Sequence, residues 1–186
     1  MEEITRNIIE RAAEGDMDAF EAIYKAASGF VFNLALRITN NRPDAEEATQ
    51  DIFIKIFDNL KRFEFRSSFK TWIYRIAVNT AINVYNRNIK DVSRRGDFDT
   101  AIETQGYSPG IKEAAERSEE RNMLSVLLNT LSPDHRAVIV LREIEGLSYG
   151  EISEALKINL NTVRSRLKRA REILMERGKK AVRDEV

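Results

Sequence analysis

Basic and polar side chains recur at helical spacing near the C-terminal end of the sequence, and these residue types contact nucleic acid. At 100° per residue, Val163, Leu167 and Ala170 fall within one narrow sector, which predicts a buried helix face. Arg166 and Arg171 lie nearer that face and are expected to form ion pairs within the module. The opposite sector and its flanks carry groups that bond base edges or neutralise phosphates. The residues predicted to contact DNA there are Asn161, Thr162, Arg164, Ser165, Lys168 and Arg169.

The segment before this helix has the signals of a helix-turn-helix. Ser148-Tyr149-Gly150-Glu151 has the form of a capping box, which predicts the start of a short helix ending near Leu156. Asn161-Thr162 is then predicted to open the basic helix, which is expected to end at Gly178. In this arrangement the second helix enters the major groove of duplex DNA. A solvated basic helix is the alternative, and the capping box and two-faced pattern disfavour it.

A second cluster interleaves aromatic and basic side chains over residues 63–75, and Asn79, Asn83 and Arg87 follow it. Aromatic faces stack on unpaired bases and amides bond exposed base edges, so this composition suits single-stranded DNA. Trp72 is expected in the core instead, because its spacing from its apolar neighbours is that of one helix face.

Apolar residues recur at helical spacing through most of the chain, which predicts an all-α fold. Helix breaks are expected at Gly15-Asp16 and at residues 40–43, and one serine of Ser67-Ser68 is predicted to cap a third long helix. Ser132-Pro133 is predicted to open a further helix that Gly146 closes. The residues predicted to pack inside are Phe20, Ile23, Tyr24, Ala27, Val31, Leu34, Ile38, Ala48, Ile52, Phe53, Ile56, Met123, Val126, Leu127 and Leu131.

The helical pattern dissolves over residues 89–112, where glycine, serine and proline are scattered among charges. We predict a flexible linker there, joining two helical domains formed by residues 1–88 and 113–186. The net charge is zero, yet residues 62–95 hold eight basic and two acidic side chains, and residues 161–186 hold nine and four. That segregation predicts two separate surfaces for nucleic acid.

The composition leaves few places for catalysis or for a cofactor. There is no cysteine and one histidine, which excludes disulfides, thiolate metal sites and cysteine nucleophiles. Glu46, Glu47 and Asp51 resemble part of a carboxylate metal site, but His135 lies elsewhere in the sequence, so we expect no enzyme and no cofactor. No stretch approaches eighteen apolar residues and the first residues are acidic, so we expect a cytoplasmic protein without membrane insertion.

In five segments the chain resembles the extracytoplasmic-function sigma factors of bacteria, and the match extends over nearly its whole length. Any one segment is a weak match, whereas five in register are specific. The resemblance implies a protein that binds core RNA polymerase and directs it to promoters. The segments are residues 15–20 (GDMDAF), 44–53 (DAEEATQDIF), 68–80 (SFKTWIYRIAVNT), 131–133 (LSP) and 145–152 (EGLSYGEI) with 162–171 (TVRSRLKRAR).

The resemblance also implies a role for each segment. The helix around residues 44–53 corresponds to the contact with the clamp helices of the polymerase β′ subunit; from its composition alone it would be an amphipathic helix with a solvated acidic face. The helix-turn-helix corresponds to the module that recognises the upstream (minus-thirty-five) element, and residues 63–87 to the segment that melts and recognises the downstream (minus-ten) element. An anti-sigma partner is expected on the same ground. The implied polymerase contacts are Asp44, Glu47, Gln50, Asp51 and Phe53, and the implied downstream contacts are Phe65, Arg66, Lys70, Arg75, Asn79, Asn83 and Arg87.

Two positions depart from the family pattern. Many members have Arg-Gly after the first phenylalanine of the melting loop, whereas Glu64-Phe65 follow Phe63 here, which bears on the bases that the loop captures. Asn161 stands where the family usually has glycine before Thr-Val, and it adds a hydrogen-bond donor and acceptor.

A ligand-responsive transcription regulator is the alternative function, since many such regulators attach a helix-turn-helix to a sensing domain. It predicts a closed pocket within residues 1–90 and specific binding to duplex DNA without polymerase.

Overall fold

A computed structural model describes residues 4–95 and 123–184. Every regular element in these residues is helical, so the predicted all-α fold is confirmed. The chain divides into two units, formed mostly by residues 1–84 and mostly by residues 85–186. The helices are α1 (Arg6–Ala13), α2 (Met17–Thr39), α3 (Arg42–Asn59), α4 (Phe69–Arg95), α5 (residues 123–129), α6 (Pro133–Ile139), α7 (Tyr149–Leu156) and α8 (Leu160–Asp184), with a 3-10 turn at Leu60–Arg62 and a π-helical turn at Val140–Ile144.

In the first unit, α2 packs against both α1 and α3. Its predicted apolar stripe is confirmed in the main, since Ile23, Val31 and Leu34 are fully buried. The prediction that Tyr24 is buried is wrong: it lies at the edge of the stripe and is 46% exposed, with its ring 4.6 Å from that of Phe53. Each buried aliphatic side chain stabilises the unit by about 1.5–3 kcal/mol. The other buried residues of this core include Ala48, Ile52, Ile56, Leu60, Trp72, Ile73, Val78 and Val84.

Polar side chains set the helix boundaries of this unit near the predicted breaks. Asp16 caps α2 by accepting a hydrogen bond from the Ala19 amide (3.1 Å), and Arg11 donates two more to the same carboxylate (2.8 and 2.6 Å). The Ala19 amide and then the Arg11 guanidinium hold the pKa of the Asp16 carboxyl below its ordinary value. Asn40 ends α2 with a left-handed φ of 52°, which lets the chain turn into α3.

The long helix α4 begins where predicted and ends later. Ser68 Oγ accepts a hydrogen bond from the Thr71 amide at 3.0 Å and so acts as the N-cap. The sequence predicts a linker from residue 89, but the helix continues to Arg95, because residues 89–95 contain no glycine or proline to end it. The rest of the predicted linker, residues 96–112, lies outside the described residues.

The predicted caps of the second unit are confirmed. Ser132 caps α6 by accepting a hydrogen bond from the amide three residues later. Gly146, with φ of 73°, closes the π-helical turn that follows α6. The capping box of α7 is complete, because the Ser148 amide donates to Glu151 Oε2 (2.8 Å) and the Glu151 amide donates to Ser148 Oγ (3.2 Å).

Helix α5 turns a different face to the core from the one predicted. The sequence predicts that Met123 and Val126 pack inside, but both are largely exposed, whereas Leu128, which was not predicted, is buried. The predicted burial of Leu131 is confirmed. The reason is a buried charge: the Arg136 guanidinium donates to the carbonyls of Leu128 (2.9 Å) and Leu131 (3.2 Å). These bonds satisfy carbonyls at the end of α5 and fix which side of the helix faces α6.

Both ends of α8 differ from the prediction. Asn159 is the cap, since its Oδ1 accepts hydrogen bonds from the Thr162 amide (2.8 Å) and hydroxyl (3.0 Å), and the helix begins at Leu160. Asn161 therefore lies inside the first turn. Gly178 does not end the helix, because one glycine costs only about 1 kcal/mol relative to alanine in a helix. In the residues described, no helix has both the length and the apolar content to cross a membrane.

Candidate nucleic-acid interface

Helix α8 has the two faces that its sequence predicts. Val163, Leu167 and Ala170 are buried against the rest of the second unit, where α6 is the main neighbour. Lys168 and Ser165 are exposed on the opposite side. The outward face is therefore available to a partner while the inward face anchors the helix.

The two ion pairs expected near the inner stripe are present. Arg166 Nη1 lies 3.1 Å from Asp134 Oδ1 at the start of α6. Arg171 donates through Nη2 (2.6 Å) and Nε (3.1 Å) to Glu143 in the π-helical turn. This hydrogen bond is the main reason that the pKa of Arg171 is raised above its ordinary value. These arginines are thus engaged within the module, which leaves other cations for DNA.

Most of the predicted upstream contacts are exposed on α8, whereas Thr162 bonds the residue that caps the helix. Asn161 and Arg164 are exposed, and Arg164 Nη1 donates to Asn161 Oδ1 at 3.3 Å. Ser165 Oγ donates to the Thr162 carbonyl at 3.1 Å. Thr162 is bound to the Asn159 cap, so its hydroxyl serves the helix start. Arg169 lies 3.5 Å from Glu172, which moderates its charge.

A shallow groove runs beside this outward face. It is lined by Arg164, Lys168 and Arg171, by Glu172 and Met175 further along α8, and by Tyr149 at the start of α7. The sequence did not predict a contribution from Tyr149. Its position on the first helix of the helix-turn-helix places a phenol in the same groove as Arg164 and Lys168, whereas Arg171 is paired with Glu143. Hydroxyl and basic groups of this kind contact phosphate oxygens.

The aromatic cluster of the first unit is mostly core. The Phe63 ring lies 4.7 Å from Phe65, 5.4 Å from Phe69 and 5.2 Å from Trp72, measured between ring centroids. Trp72 is buried, which confirms its predicted place in the core. Phe65 is 36% exposed and has a left-handed backbone with φ of 55°. It is therefore the ring of this group that offers a partly open face.

Four predicted downstream contacts form one stripe along α4. Arg75, Asn79, Asn83 and Arg87 are spaced four residues apart, so they share a helix face. Asn79, Asn83 and Arg87 are exposed, and Asn79 Nδ2 donates to the Arg75 carbonyl at 2.7 Å, which keeps its Oδ1 available. A row of amides between two guanidinium groups is suited to base edges flanked by phosphates.

The remaining two predicted contacts lie near the start of α4. Arg66 Nε is 2.7 Å from Glu64 Oε2, and both side chains are mostly exposed. Lys70 Nζ lies 5.9 Å from the Phe30 ring centroid and 5.5 Å from that of Tyr74. Arg66 therefore lies in the loop before α4, and Lys70 lies in the first turn of that helix, N-terminal to the stripe.

The predicted polymerase contacts all lie on α3, and all but one of them are on its outer face. Glu47 and Gln50 are exposed and Asp44 and Asp51 are half-buried. Phe53 is buried against Tyr24, because it belongs to the apolar stripe, so it is not part of the outer face.

The sequence analysis did not identify two exposed apolar side chains of α3. Ile54 is 59% exposed and Phe57 43%, and the Phe57 ring lies 5.0 Å from that of Phe20. Both fall outside the buried stripe when α3 is drawn as a wheel, which is the signal that could have identified them. Among the described residues, no group of three or more histidine, aspartate or glutamate side chains could hold a metal ion.

Comparison with known proteins assigns the family. The model described as Sigma-70 region 2 matches residues 23–90, and the one described as Sigma-70, region 4 matches residues 121–174. The ECF RNA polymerase sigma-E factor of Escherichia coli K12 is 36% identical over 178 residues, covering 90% of each chain. This chain belongs to the extracytoplasmic-function (ECF) sigma factors. The predicted resemblance is confirmed.

Further relatives of this ECF sigma factor cover nearly all of it. SigW of Bacillus subtilis is 31% identical, over 94% of this chain and 96% of SigW. The solved structure of CnrH in complex with the cytosolic domain of CnrY shares the fold, with a TM-score of 0.67 at 23% identity over 96% of this chain and 99% of CnrH. RpoE of Bartonella quintana, solved with the anti-sigma factor NepR, gives a TM-score of 0.62 at 24% identity, over 84% and 94%.

Membership of this family fixes the general function. The ECF sigma factor is an alternative sigma factor, which binds core RNA polymerase and directs transcription initiation at specific promoters. These matches do not favour a ligand-responsive regulator that acts without polymerase.

Proposed function

We propose that this sigma factor contacts its promoters through two helical faces, one in each domain. Residues 1–88, with α4 continuing to Arg95, form the domain for the downstream element, and residues 113–186 form the domain for the upstream element. One observation carries the proposal: each set of predicted contacts lies mainly along the solvent side of a single helix, α4 or α8.

The upstream element is contacted by α8 in the major groove of duplex DNA. Its exposed Arg164 and Lys168 bond guanine edges or phosphates, and Asn161 adds an amide near the helix start. The buried stripe and the two ion pairs of the inner side hold this face in a fixed orientation relative to α6 and the π-helical turn. Fixed side chains lose less conformational freedom on binding.

The downstream element is contacted as a single strand by α4 and the melting loop. The amides of Asn79 and Asn83 bond the edges of unpaired bases, while Arg75 and Arg87 neutralise phosphates at either end of the stripe. Capture of flipped bases offsets an unstacking cost of a few kcal/mol, so opening needs no hydrolysis by this chain. We accordingly propose no catalytic residue and no cofactor.

The outer face of α3 is the proposed contact with the clamp helices of the polymerase β′ subunit. Its acidic and amide groups, Glu47 and Gln50, are exposed, and the half-buried Asp44 and Asp51 border them. We also propose a cytoplasmic location and an anti-sigma partner, such as RpoE of Bartonella quintana has in NepR.

Two weak DNA contacts joined in one chain gain affinity through effective concentration. The remainder of the predicted linker, residues 96–112, joins them, and polymerase fixes their separation in the holoenzyme.

Run-off transcription with purified core polymerase tests the proposal. The chain is expected to produce promoter-dependent transcripts from a genomic fragment library, and none should appear with core polymerase alone. A library without any such transcript would overturn the proposed function.

The variant Asn79→Ala tests whether α4 contacts the downstream element separately from polymerase binding. Loss of this amide should impair opening of the downstream element while polymerase binding stays intact. Permanganate reactivity of unpaired thymines measures the opening, and unchanged reactivity would contradict the assigned role of α4.

A further inference from the structure

Phe65 has a backbone conformation that is rare for its side chain. Its φ of 55° lies in the left-handed region, where a Cβ atom crowds the following carbonyl. Bulky residues seldom occupy this region. Glycine adopts it without strain. This chain therefore keeps an aromatic ring at a place where glycine would relax the backbone, and strain of this kind points to function.

Two groups from different elements hold the Phe65 ring. The Arg6 guanidinium of α1 lies over it, 4.4 Å from the ring centroid. The buried Phe63 ring packs 4.7 Å away and is itself fixed against Trp72. Arg6 is held in turn by Glu10 one turn along α1, with Nε and Oε1 2.7 Å apart. The ring is thus restrained while more than a third of its surface stays exposed.

An open groove borders the ring. It runs between α1 and the 3-10 turn, and Ile9, Ala13, Leu60 and Lys61 line it together with Phe63 and Phe65. Glu10 and Glu14 also border this groove. Their carboxylates disfavour a phosphate and suit the amino edge of a base. The surroundings of Phe65 therefore favour a nucleobase over a sugar-phosphate chain.

We infer that Arg6 is a positioning residue for DNA opening: with Glu10 it holds the strained Phe65 ring as a stacking platform for one unpaired base. The inference rests on the proposed function, in which the melting loop contacts single-stranded DNA, and it adds α1 to that machinery. A ring fixed in advance stacks on a base without first losing its own freedom. In the purely structural alternative, Arg6 ties the loop to α1 and has no effect on DNA.

The test uses holoenzyme assembled from core polymerase and the full chain, on a promoter found by run-off transcription. 2-Aminopurine replaces each base of the downstream element in turn, and its fluorescence falls when it stacks on an aromatic ring. Wild-type protein should quench it at one position. Phe65→Gly should remove that signal and lower the open-complex equilibrium constant by roughly fivefold or more. The thermal midpoint of the free chain should not fall, because glycine relieves the strain.

Arg6→Gln should weaken the same signal in the wild-type background and have no further effect in the Phe65→Gly background. Arg11→Gln removes an equal charge from the same helix, where Arg11 pairs with Asp16, and should leave the signal unchanged. Unaltered opening by Phe65→Gly would overturn the platform. Equal losses from Arg6→Gln in both backgrounds would show that Arg6 acts independently, which also overturns the inference. Absence of any wild-type opening would overturn the proposed function together with it.

Discussion

At the residue scale, Asn161 of α8 is one of the two positions where the sequence departs from the family pattern. Its side-chain oxygen accepts a hydrogen bond from Arg164 at 3.3 Å, whereas the usual glycine offers no acceptor. A guanidinium presents its donors in a planar fork, so a bond to one nitrogen orients the others. Asn161 therefore limits the directions in which Arg164 can approach a base.

Replacing Asn161 with glycine should lower base discrimination at the position that Arg164 contacts. An exposed hydrogen bond of this kind contributes about 0.5–1.5 kcal/mol, so the expected loss is roughly two- to tenfold. Holoenzyme affinity for promoters with each base pair at that position measures it. Asn161→Ala lacks the acceptor without adding backbone freedom and should behave alike; a normal preference in both variants would contradict the orienting role.

Arg164 itself should carry sequence information. Arg164→Ala is expected to cost about 1–3 kcal/mol at the native upstream element and much less at elements altered at the contacted base. Arg177→Ala removes an exposed cation further along α8 and serves as the matched control. Equal losses on every sequence would make Arg164 a phosphate contact instead.

At the scale of elements, buried apolar area holds α8 in place more strongly than its ion pairs do. Leu167 is almost completely buried, and removing such a side chain typically costs about 2–5 kcal/mol. The side chains of the Arg171–Glu143 pair are 45% and 48% exposed, and exposed pairs contribute about 0–1 kcal/mol. The ion pairs consequently orient a helix whose stability comes from packing.

This ranking predicts that Leu167→Ala destabilises the C-terminal unit by at least about 2 kcal/mol and Arg171→Gln by less than about 1 kcal/mol. Hydrogen exchange of the α8 amides in the full chain is the suitable measurement, because a chain of two units need not unfold in one step. Similar losses in both variants would contradict the ranking.

Local signals made most helix starts predictable, and non-local contacts account for most errors. The caps at Ser132 and Ser148 depend on residues within three positions, so sequence spacing reveals them. The face of α5 depends instead on the buried Arg136. The outward stripe of α4 follows from spacing alone, yet the contact of Arg6 with Phe65 joins distant parts of the chain, and no local pattern encodes it.

Considered as a whole molecule, the chain is electrically neutral but carries its two proposed DNA surfaces on basic segments. Neutralising a phosphate releases condensed counterions, so each basic contact adds to the salt dependence of binding. Acidic side chains, most of them in other segments, balance the total. Although the net charge is zero, we therefore expect the promoter affinity to depend on ionic strength.

Promoter binding by the holoenzyme should show this dependence in separable parts. Two double variants should each reduce the magnitude of the negative slope of log K against log salt: Lys168→Gln with Arg169→Gln in α8, and Lys70→Gln with Arg87→Gln in α4. The expected decrease is about one for each phosphate that the variant no longer neutralises. Titrations between about 50 and 200 mM salt measure the slopes.

The combined variant should reduce the magnitude of the slope by the sum of the two decreases, because the two helices contact different parts of the promoter. Lys25→Gln, which affects an exposed pair with Glu21 in α2, is the control and should leave the slope unchanged. A slope that responds to only one pair of substitutions would mean that only one domain engages DNA.

The stripe on α4 also has a fixed length. A helix rises about 1.5 Å per residue, so the distance from Arg75 to Arg87 along the axis is about 18 Å. Successive nucleotides of a stacked strand are about 3.4 Å apart, so the stripe spans at most about five nucleotides, and fewer where bases are unstacked and the strand is extended. Because α4 is one continuous helix from Phe69 to Arg95, this footprint cannot stretch to follow the strand. In the proposed function, the rise of this helix therefore limits the number of nucleotides that the four residues contact at once.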